Sequence, residues 1–339
     1  MPVELGYAEE QDSVVLESPF FPSKFGGKPS WLSLANIPTA ERVLCSGCSQ
    51  PMVFLLQLYA PDSGVKHAFH RSLFVFICRQ IDCWNGACTT GETIKVFRSQ
   101  LGRENSFYNN YPLKAYSDEG DRAVERVRRE ALKRCILCGL GGDEICDQCH
   151  AVHYCSKVHR QFHWSTVHER QCGGEVVDSA ANDDTVQLLL FHELGLTIER
   201  ELYREKEKTK ERPLEERMDE YRDVCSRNGY GQNWEAENEQ GGELSDLVKM
   251  PDKDFKRFSS RIEQNPKQVV RYERNGEPLW AGKDVPVEIP KCEFLMDVDS
   301  VEAGGIDWAT VCVYTCSASC DLSGRDYAQE YVWKQMYNE

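Results

Sequence analysis

Eight cysteine and histidine residues with the spacing of zinc ligands lie between residues 135 and 172, and this block constrains the fold most strongly. So short a segment cannot bury a sufficient hydrophobic core. Bound metal must therefore supply its folding energy, roughly 10–16 kcal/mol apparent per structural zinc. Eight ligands suffice for two tetrahedral zinc ions. The predicted ligands are Cys135, Cys138, Cys146, Cys149, Cys155, His159, His168 and Cys172.

The spacing also indicates how the ligands are presented. Each C-x2-C pair can chelate a metal from a tight turn. Cys155 and His159 stand at positions i and i+4, so they can face one metal from one helical turn, and His168 and Cys172 repeat this geometry. Chance or disulfides are the alternatives, and a catalytic zinc is disfavoured because protein ligands fill every position. Three further histidines are predicted to be surface or packing residues: His150, His153 and His163.

The first 120 residues are predicted to form a β-rich lobe. Residues 1–44 have the Gly, Pro and aromatic pattern of an irregular lead-in. Strands are predicted over Met52–Tyr59 and Phe69–Cys78, and the Pro-Asp-Ser-Gly turn composition between them predicts a β-hairpin. A third strand is predicted over Thr93–Phe97, and a connecting helix over 121–134.

A second group of cysteines lies at the ends of the two predicted hairpin strands. Pairing of these strands would bring the two halves of the group together as a four-cysteine zinc site. The predicted ligands are Cys45, Cys48, Cys78 and Cys83, with Cys88 left over. Free buried thiols are the alternative interpretation.

The second half of the chain is predicted to contain an acidic linker and another β-rich lobe. The linker spans 173–245, with helices predicted over Asp184–Tyr203 and Leu214–Val224 and disorder over 228–245. The final lobe spans 246–339 and begins with a helix over Asp246–Ile262. Its predicted strands are Val269–Tyr272, Thr310–Cys316 and Tyr331–Trp333.

Three cysteines near the end of the chain have metal-ligand character but lack a fourth partner. Cys316 and Cys320 are separated by three residues, and Cys292 precedes them. Cys312 lies on the predicted strand Thr310–Cys316, at a position whose side chain is expected to face the core. The sequence therefore predicts an incomplete zinc site here.

Composition excludes several classes of protein. The 339 residues are 41% hydrophobic, so wholesale disorder is disfavoured, and no apolar run approaches the roughly 18 residues of a membrane span. The N-terminal residues include acidic side chains, whereas a signal peptide begins with basic ones, so a signal peptide is not expected. Sixteen cysteines without a secretory signal favour zinc over disulfides. We therefore expect a soluble protein that is cytoplasmic and also present in the nucleus.

Negative charge is concentrated in one part of the chain. The formal net charge is −15, and residues 173–250 contain 10 Lys and Arg against 20 Asp and Glu. This acidity disfavours nucleic-acid binding and favours a basic protein partner, although acidity that simply aids solubility is the alternative.

Several motifs in order along the chain resemble one protein family. The Tyr154–Lys157 stretch with Trp164 and His168 looks like a MYND-type zinc finger. Together with Leu5–Tyr7, Phe20–Leu32 and Cys45–Pro61, this finger resembles the programmed cell death protein 2 family. The tail adds the matching segments Val270–Tyr272, Pro278–Trp280, Ile289–Cys292, Asp307–Trp308 and Val313–Cys316.

The resemblance implies an interleaved ligand arrangement and an α+β, β-rich fold. It implies that one zinc is bound by Cys135, Cys138, Cys155 and His159, and the other by Cys146, Cys149, His168 and Cys172. The histidine at position 159, where MYND fingers usually have cysteine, is the family's own variant. The implied fold has two related zinc-stapled β lobes with the finger inserted between them. After Cys292 this chain departs from the family pattern by about twenty missing residues, which predicts an incomplete C-terminal lobe.

The resemblance also implies a function. The family is described as a dedicated chaperone of a basic small-subunit ribosomal protein, number two in eukaryotes and number five in the universal scheme, that supports 40S assembly. The alternative is a nuclear MYND adaptor that recruits corepressors, since MYND fingers bind peptides that often contain proline. No phosphate-binding loop, methyltransferase motif or Ser-His-Asp set is present, so we expect no enzymatic activity.

Overall fold

The computed structural model describes most of the two predicted lobes and the finger. The described residues are 2–84, 92–109, 112–130, 133–174, 189–203, 253–282, 292–296 and 310–335. The chain divides into two compact units, one comprising Met1–Glu201 and Asn265–Glu339, the other Leu202–Gln264. The predicted helix over Leu214–Val224 and the stretch 228–245 lie outside the described residues, and the predicted domain boundaries stay predictions.

Strands are the main regular structure of the described residues. The strands are β1 Glu4–Glu9, β2 Lys24–Phe25, β3 Val53–Tyr59, β4 His70–Ile77, β5 Ile94–Leu101, β6 Glu144–Ile145, β7 His153–Tyr154, β8 Leu194–Arg200, β9 Gln268–Gly276, β10 Cys292–Met296, β11 Thr310–Tyr314 and β12 Ala328–Gln335. The α-helices are α1 Asp118–Glu130, α2 Lys157–His163, α3 Glu169–Gln171 and α4 Lys253–Ile262. Short 3₁₀ turns span Ser18–Phe20, Ala40–Val43, Lys66–Ala68 and Ile81–Cys83, and a π turn spans Trp164–His168.

Ten strands form one closed antiparallel sheet. Their order is β1-β8-β2-β3-β4-β5-β12-β11-β10-β9, and β9 pairs with β1 to complete the circle. The predicted β-rich α+β class with an inserted finger is confirmed. The strands of the N-terminal and C-terminal lobes are joined in this single sheet, at the β5–β12 and β1–β9 pairings.

Strand β4 shows why the sheet has two hydrophobic layers. All eight of its residues are buried, and successive side chains point to opposite faces of a strand. Leu73 and Val75 belong to the core enclosed by the sheet, with Val313 from the opposite side. Phe74 and Phe76 belong to a second core on the outer face, which the lead-in segment covers.

Two sequence predictions about secondary structure are wrong. Residues 194–200 form strand β8 where a helix was predicted over Asp184–Tyr203, because Leu194, Leu196 and Ile198 alternate with the period of a strand. The lead-in 1–44 contains β1 and β2, which pair with β8 in the sheet. The charged residues of β8 resemble an exposed helix, so its short alternating pattern was overlooked.

Most other described elements agree with prediction, but strand β10 was not predicted, and its pairing with β11 gives that strand a partner where the C-terminal lobe was expected to be incomplete. The hairpin is confirmed by the antiparallel β3–β4 pairing, and the strands β5, β9, β11 and β12 and helices α1 and α4 occur where they were predicted. Val124 and Val127 are buried on α1, as their helical spacing indicates. In the second unit, the Arg261 guanidinium lies 3.6 Å from the centre of the Tyr203 ring. None of the described helices is both long enough and apolar enough to cross a bilayer.

A buried histidine makes the stability of the sheet depend on pH. The ring of His70 is stacked on Phe21 at 4.2 Å, and Nδ1 is hydrogen-bonded to the Tyr59 hydroxyl at 2.9 Å. Burial lowers the pKa of His70 to about 4, so the folded protein keeps this ring neutral. The unfolded chain takes up the proton near a pKa of about 6.5.

We therefore expect the free energy of unfolding to fall as the pH drops from about 6.5 towards 4, with His70 contributing at most about 3 kcal/mol. The contribution is fully present above pH ~6.5. Urea unfolding of the wild-type protein and of the His70→Gln variant across this range isolates it, because other titrating groups are common to both. Parallel stability curves for the two proteins would show that the fold does not lower the pKa of His70.

Candidate metal centres

The first finger cluster contains Cys135, Cys138, Cys155 and His159, whose ligand atoms all lie within 4.8 Å of one another. His159 presents Nδ1, which is 3.1 Å from Cys155 Sγ and 3.5 Å from Cys135 Sγ. Helix α2 fixes this orientation, since the Ser156 hydroxyl caps the helix by accepting the backbone N–H of His159 at 3.3 Å. The cap places Cys155 and His159 on one side of the first turn.

The second finger cluster contains Cys146, Cys149, His168 and Cys172, again within 4.8 Å. Cys149 Sγ is 3.4 Å from His168 Nε2, and Cys146 Sγ is 3.8 Å from Cys172 Sγ. The π turn Trp164–His168 follows α2 directly and carries His168 at its end. The structure therefore brings together the same two interleaved sets that the family resemblance implies.

The electrostatics of the two ligand histidines suit metal binding. Burial lowers the pKa of His168, which favours the neutral imidazole that coordinates a metal. Burial also acts to lower the pKa of His159, but its hydrogen bonds to Cys135 and Cys155 raise that pKa to about 10. A metal bound at Nδ1 would displace this proton, since metal binding to such ligands releases protons.

The remaining finger histidines have other surroundings. His163 is buried, with Nδ1 2.9 Å from the Tyr154 hydroxyl, and its ring stacks on that of His168 at 5.3 Å. It supports a ligand without joining the ligand set. His150 is exposed in a turn and His153 is half-buried in β7.

The N-terminal cluster contains Cys45, Cys48, Cys78 and Cys83 within 4.8 Å, where the hairpin was predicted to place them. Cys48 Sγ and Cys78 Sγ are 3.6 Å apart. The first pair precedes β3 and the second follows β4, so the cluster ties together the two ends of the hairpin. A Cβ on Gly47 would lie 3.2 Å from Cys83 Sγ, so glycine suits this close approach. Cys88 lies outside the described residues.

The chemistry of all three clusters fits zinc. Every donor is a thiol or an imidazole, and the thirteen cysteines whose side chains the structure describes are all free of disulfides. Four such donors are the usual set of a closed, structural zinc site, and a magnesium or calcium site would be built from oxygen. The three clusters are thus of the kind that binds zinc.

The tail cysteines form no group of three among the described side chains. Cys312 is fully buried in β11, as its predicted place in the core requires. Cys316 and Cys320 lie in the turn that follows β11, and the backbone N–H of Cys320 donates to Cys316 Sγ at 3.4 Å. For Cys292 the structure describes the backbone, at the start of β10.

One contact between the finger and the sheet was not predicted. The indole N–H of Trp31 donates to the carbonyl of Gly139 at 2.7 Å, next to the ligand Cys138. Gly139 has φ +74°, and a Cβ there would lie 3.1 Å from Pro29 Cδ. The backbone N–H of Gly141 donates to the Pro38 carbonyl at 3.0 Å. The lead-in therefore joins the finger to the outer layer of the sheet.

The two interleaved clusters and the finger around them define a MYND-type zinc-finger protein, and the MYND finger family model matches residues 135–172. The family models for the N-terminal domain and the C-terminal putative domain of programmed cell death protein 2 match residues 2–115 and 252–297. The chain belongs to the programmed cell death protein 2 family. The second match ends close to the predicted departure from the family pattern after Cys292.

Relatives from mammals align with nearly the whole chain. Programmed cell death protein 2 of Mus musculus is 34% identical over 359 residues, which cover 98% of this chain and 96% of that protein. The Bos taurus protein of the same name is 35% identical over 353 residues, with 98% and 96% covered. Programmed cell death protein 2-like of Homo sapiens is 38% identical over 104 residues, 29% of this chain and 26% of that protein. No solved structure matches the chain.

Proposed function

We propose that this protein is a dedicated chaperone of a basic small-subunit ribosomal protein, number two in eukaryotes and number five in the universal scheme, and that it supports 40S assembly. The observation that carries the proposal is the exposed negative charge on strands β1 and β8 of the closed sheet, together with the acidic composition of the segment 173–250, to which β8 belongs. Such a client is made in the cytoplasm and assembled in the nucleus, so presence in both compartments is part of the proposal.

Four exposed carboxylates lie on or near one pair of strands in the sheet. We call Glu9, Glu10, Asp12 and Glu199 the acidic ribbon; all four are exposed, on or just beyond the paired strands β1 and β8. The Glu9 carboxylate accepts a hydrogen bond from the Thr197 hydroxyl at 2.8 Å, which orients it on the outer face. Strand β8 is itself part of the acidic segment 173–250.

This arrangement suits the capture of a basic chain. Like-signed carboxylates on a rigid sheet attract an oppositely charged partner and increase its association rate, most strongly at low salt. The three clusters would bind three zinc ions through protein ligands alone, two in the finger and one at the hairpin, so their proposed role is structural. The zinc ions hold the scaffold, the carboxylates bind the client, and no catalytic step is involved.

Charge reversal on the ribbon tests this proposal. We expect the full-length variant Glu9→Lys/Glu10→Lys/Glu199→Lys to bind the purified ribosomal protein at least ten-fold more weakly at low salt, because three attractive charges become repulsive. Affinity of the wild-type protein should also fall as salt is raised, and the variant should lose most of that salt dependence. Fluorescence anisotropy with a labelled client measures both effects.

A matched control carries the same change of charge elsewhere. Glu41→Lys/Asp82→Lys/Glu104→Lys reverses three exposed carboxylates away from the ribbon and should keep most of the affinity. Equal losses in the two triple variants would assign binding to net charge, and wild-type affinity in the ribbon variant would refute the proposed surface.

A nuclear adaptor that recruits corepressors through the MYND finger is a second candidate function. The observation that favours it is the side chain of Val158, which is 73% exposed on α2. An exposed aliphatic side chain on the helix that leads to the half-buried Trp164 could bind a proline-containing peptide. Val158→Glu should abolish capture of such a peptide and leave client binding unchanged, whereas loss of client binding in this variant would place the client on the finger.

A further inference from the structure

A pocket of about 250 Å³ lies on one side of helix α1. An engineered apolar cavity of about 150 Å³ is large enough to bind benzene, so this pocket can hold the phenyl ring of a ligand. Its apolar lining consists of Pro19, Phe107, Tyr108, Leu113, Ala123 and Val127.

The walls of the pocket are held in place by hydrogen bonds and by the outer layer of the sheet. The Asn105 side chain accepts the backbone N–H groups of Phe107 and Tyr108, at 2.9 and 2.8 Å. The Tyr108 hydroxyl donates to the Trp31 carbonyl at 3.0 Å. Tyr108 and Val127 both belong to the second core, on the outer face of the sheet. The pocket is therefore already formed before a ligand binds.

Helix α1 contributes two arginines to the same pocket. Arg122 and Arg126 both line it, and both side chains are exposed. They stand at positions i and i+4, so they are neighbours on one face of the helix and repel each other. An anionic group bound between them would relieve this repulsion, and a carboxylate can accept two parallel hydrogen bonds from a guanidinium.

Glu119 also lines the pocket, one turn before Arg122 on the same helix. Two arginines and one glutamate leave the charged part of the lining with a net charge of +1. A carboxylate of a ligand is repelled near Glu119 and attracted near Arg126. The pocket thus favours a ligand that places an apolar ring inside it and its acidic groups beside the arginines.

We propose that this pocket binds an acidic peptide segment of another protein, with an aromatic side chain of the peptide in the pocket and its carboxylates on Arg122 and Arg126. Large side chains that fill pockets carry much of the binding energy of an interface, and complementary charges increase the association rate. The acidic ribbon attracts basic chains, so the partner at α1 is a different protein from the ribosomal client. The inference therefore goes beyond the chaperone function and does not depend on it.

Binding of a short labelled peptide to the full-length protein tests the proposal. The probe has one phenylalanine flanked on both sides by glutamates, and fluorescence anisotropy measures its affinity. We expect Arg122→Glu/Arg126→Glu to weaken binding by about ten-fold or more, because two attractive charges become repulsive. Ala123→Leu should weaken it by about ten-fold, since leucine fills the pocket and leaves its charge unchanged. Glu119→Gln should strengthen binding, because it removes a repulsive carboxylate.

Matched controls distinguish this pocket from the general charge of the protein. Lys256→Glu/Arg257→Glu reverses two exposed cations of helix α4 and should keep most of the affinity. A probe with alanine in place of phenylalanine, and one with lysines in place of the glutamates, should each bind about ten-fold more weakly than the original. Circular dichroism of each variant establishes that it is folded.

The same measurements can overturn the proposal. It fails if the probe does not bind the wild-type protein, or binds folded Ala123→Leu equally well. Equal losses in the two charge-reversal variants would assign binding to net charge. A concentration-dependent dimer of the wild-type protein that Ala123→Leu abolishes would place a second copy of this chain in the pocket instead.

Discussion

Replacement of Cys138 by serine is expected to unfold the MYND finger. Cys138 Sγ lies 3.5 Å from Cys155 Sγ in the first cluster, and serine is a much weaker zinc ligand. The buried core cluster of the finger comprises Leu137, Val152, Tyr154 and two ligand cysteines, too few residues to sustain a fold alone. Loss of one zinc removes about 10–16 kcal/mol of apparent folding energy from this segment.

Hydrogen exchange of the full-length protein measures this effect. Amides in 135–172 should exchange at rates close to those of an unfolded chain in Cys138→Ser, while those of β4 stay protected because the hairpin has its own cluster. His150→Asn is the matched control, since His150 is an exposed finger residue outside both ligand sets and asparagine tolerates its positive φ. Protection of the finger in Cys138→Ser with one zinc fewer would contradict the structural role of the metal.

The second large effect is expected at Trp31. Its side chain is fully buried and contacts Phe74 at 4.7 Å and Tyr327 at 5.1 Å between ring centres. Trp31→Ala should lower the free energy of unfolding by about 3–5 kcal/mol, because it leaves a cavity and an unpaired Gly139 carbonyl. Urea unfolding measures the loss.

Two further variants separate the contributions at this position. Trp31→Phe keeps an aromatic ring but loses the hydrogen bond to Gly139, so it should cost less than the alanine variant while still increasing amide exchange at Gly141. Val158→Ala changes an exposed side chain and should alter stability by about 0.5 kcal/mol or less. If Trp31→Ala were as stable as Val158→Ala, the outer layer would not support the sheet.

The finger could be predicted from sequence because its ligands are local. Cys135 and Cys138, like Cys146 and Cys149, form turns whose geometry depends only on a few neighbouring residues. The pairing between turns is not local, and it came from the family resemblance. The hairpin cluster required one additional inference, that β3 and β4 pair, and their apolar sequence with a turn between them supplied it.

The closure of the sheet could not be predicted from local sequence patterns. Pairing of β1 with β9, and of β5 with β12, joins segments more than 200 residues apart, and no local pattern identifies such partners. Strand β8 was missed because Glu199 and Arg200 look like the charged run that follows them. The contact of Trp31 with Gly139 depends on the finger's position beside the lead-in, so no local pattern of the sequence indicates it.

The central claim is that thiols and imidazoles of this chain are held by zinc, and counting tightly bound zinc tests it most directly. Native mass spectrometry of the intact, reduced protein after a brief exposure to a mild chelator should find three zinc ions per folded chain and no disulfide. Fewer than three ions in a fully folded chain, or disulfides among the finger cysteines, would contradict the account.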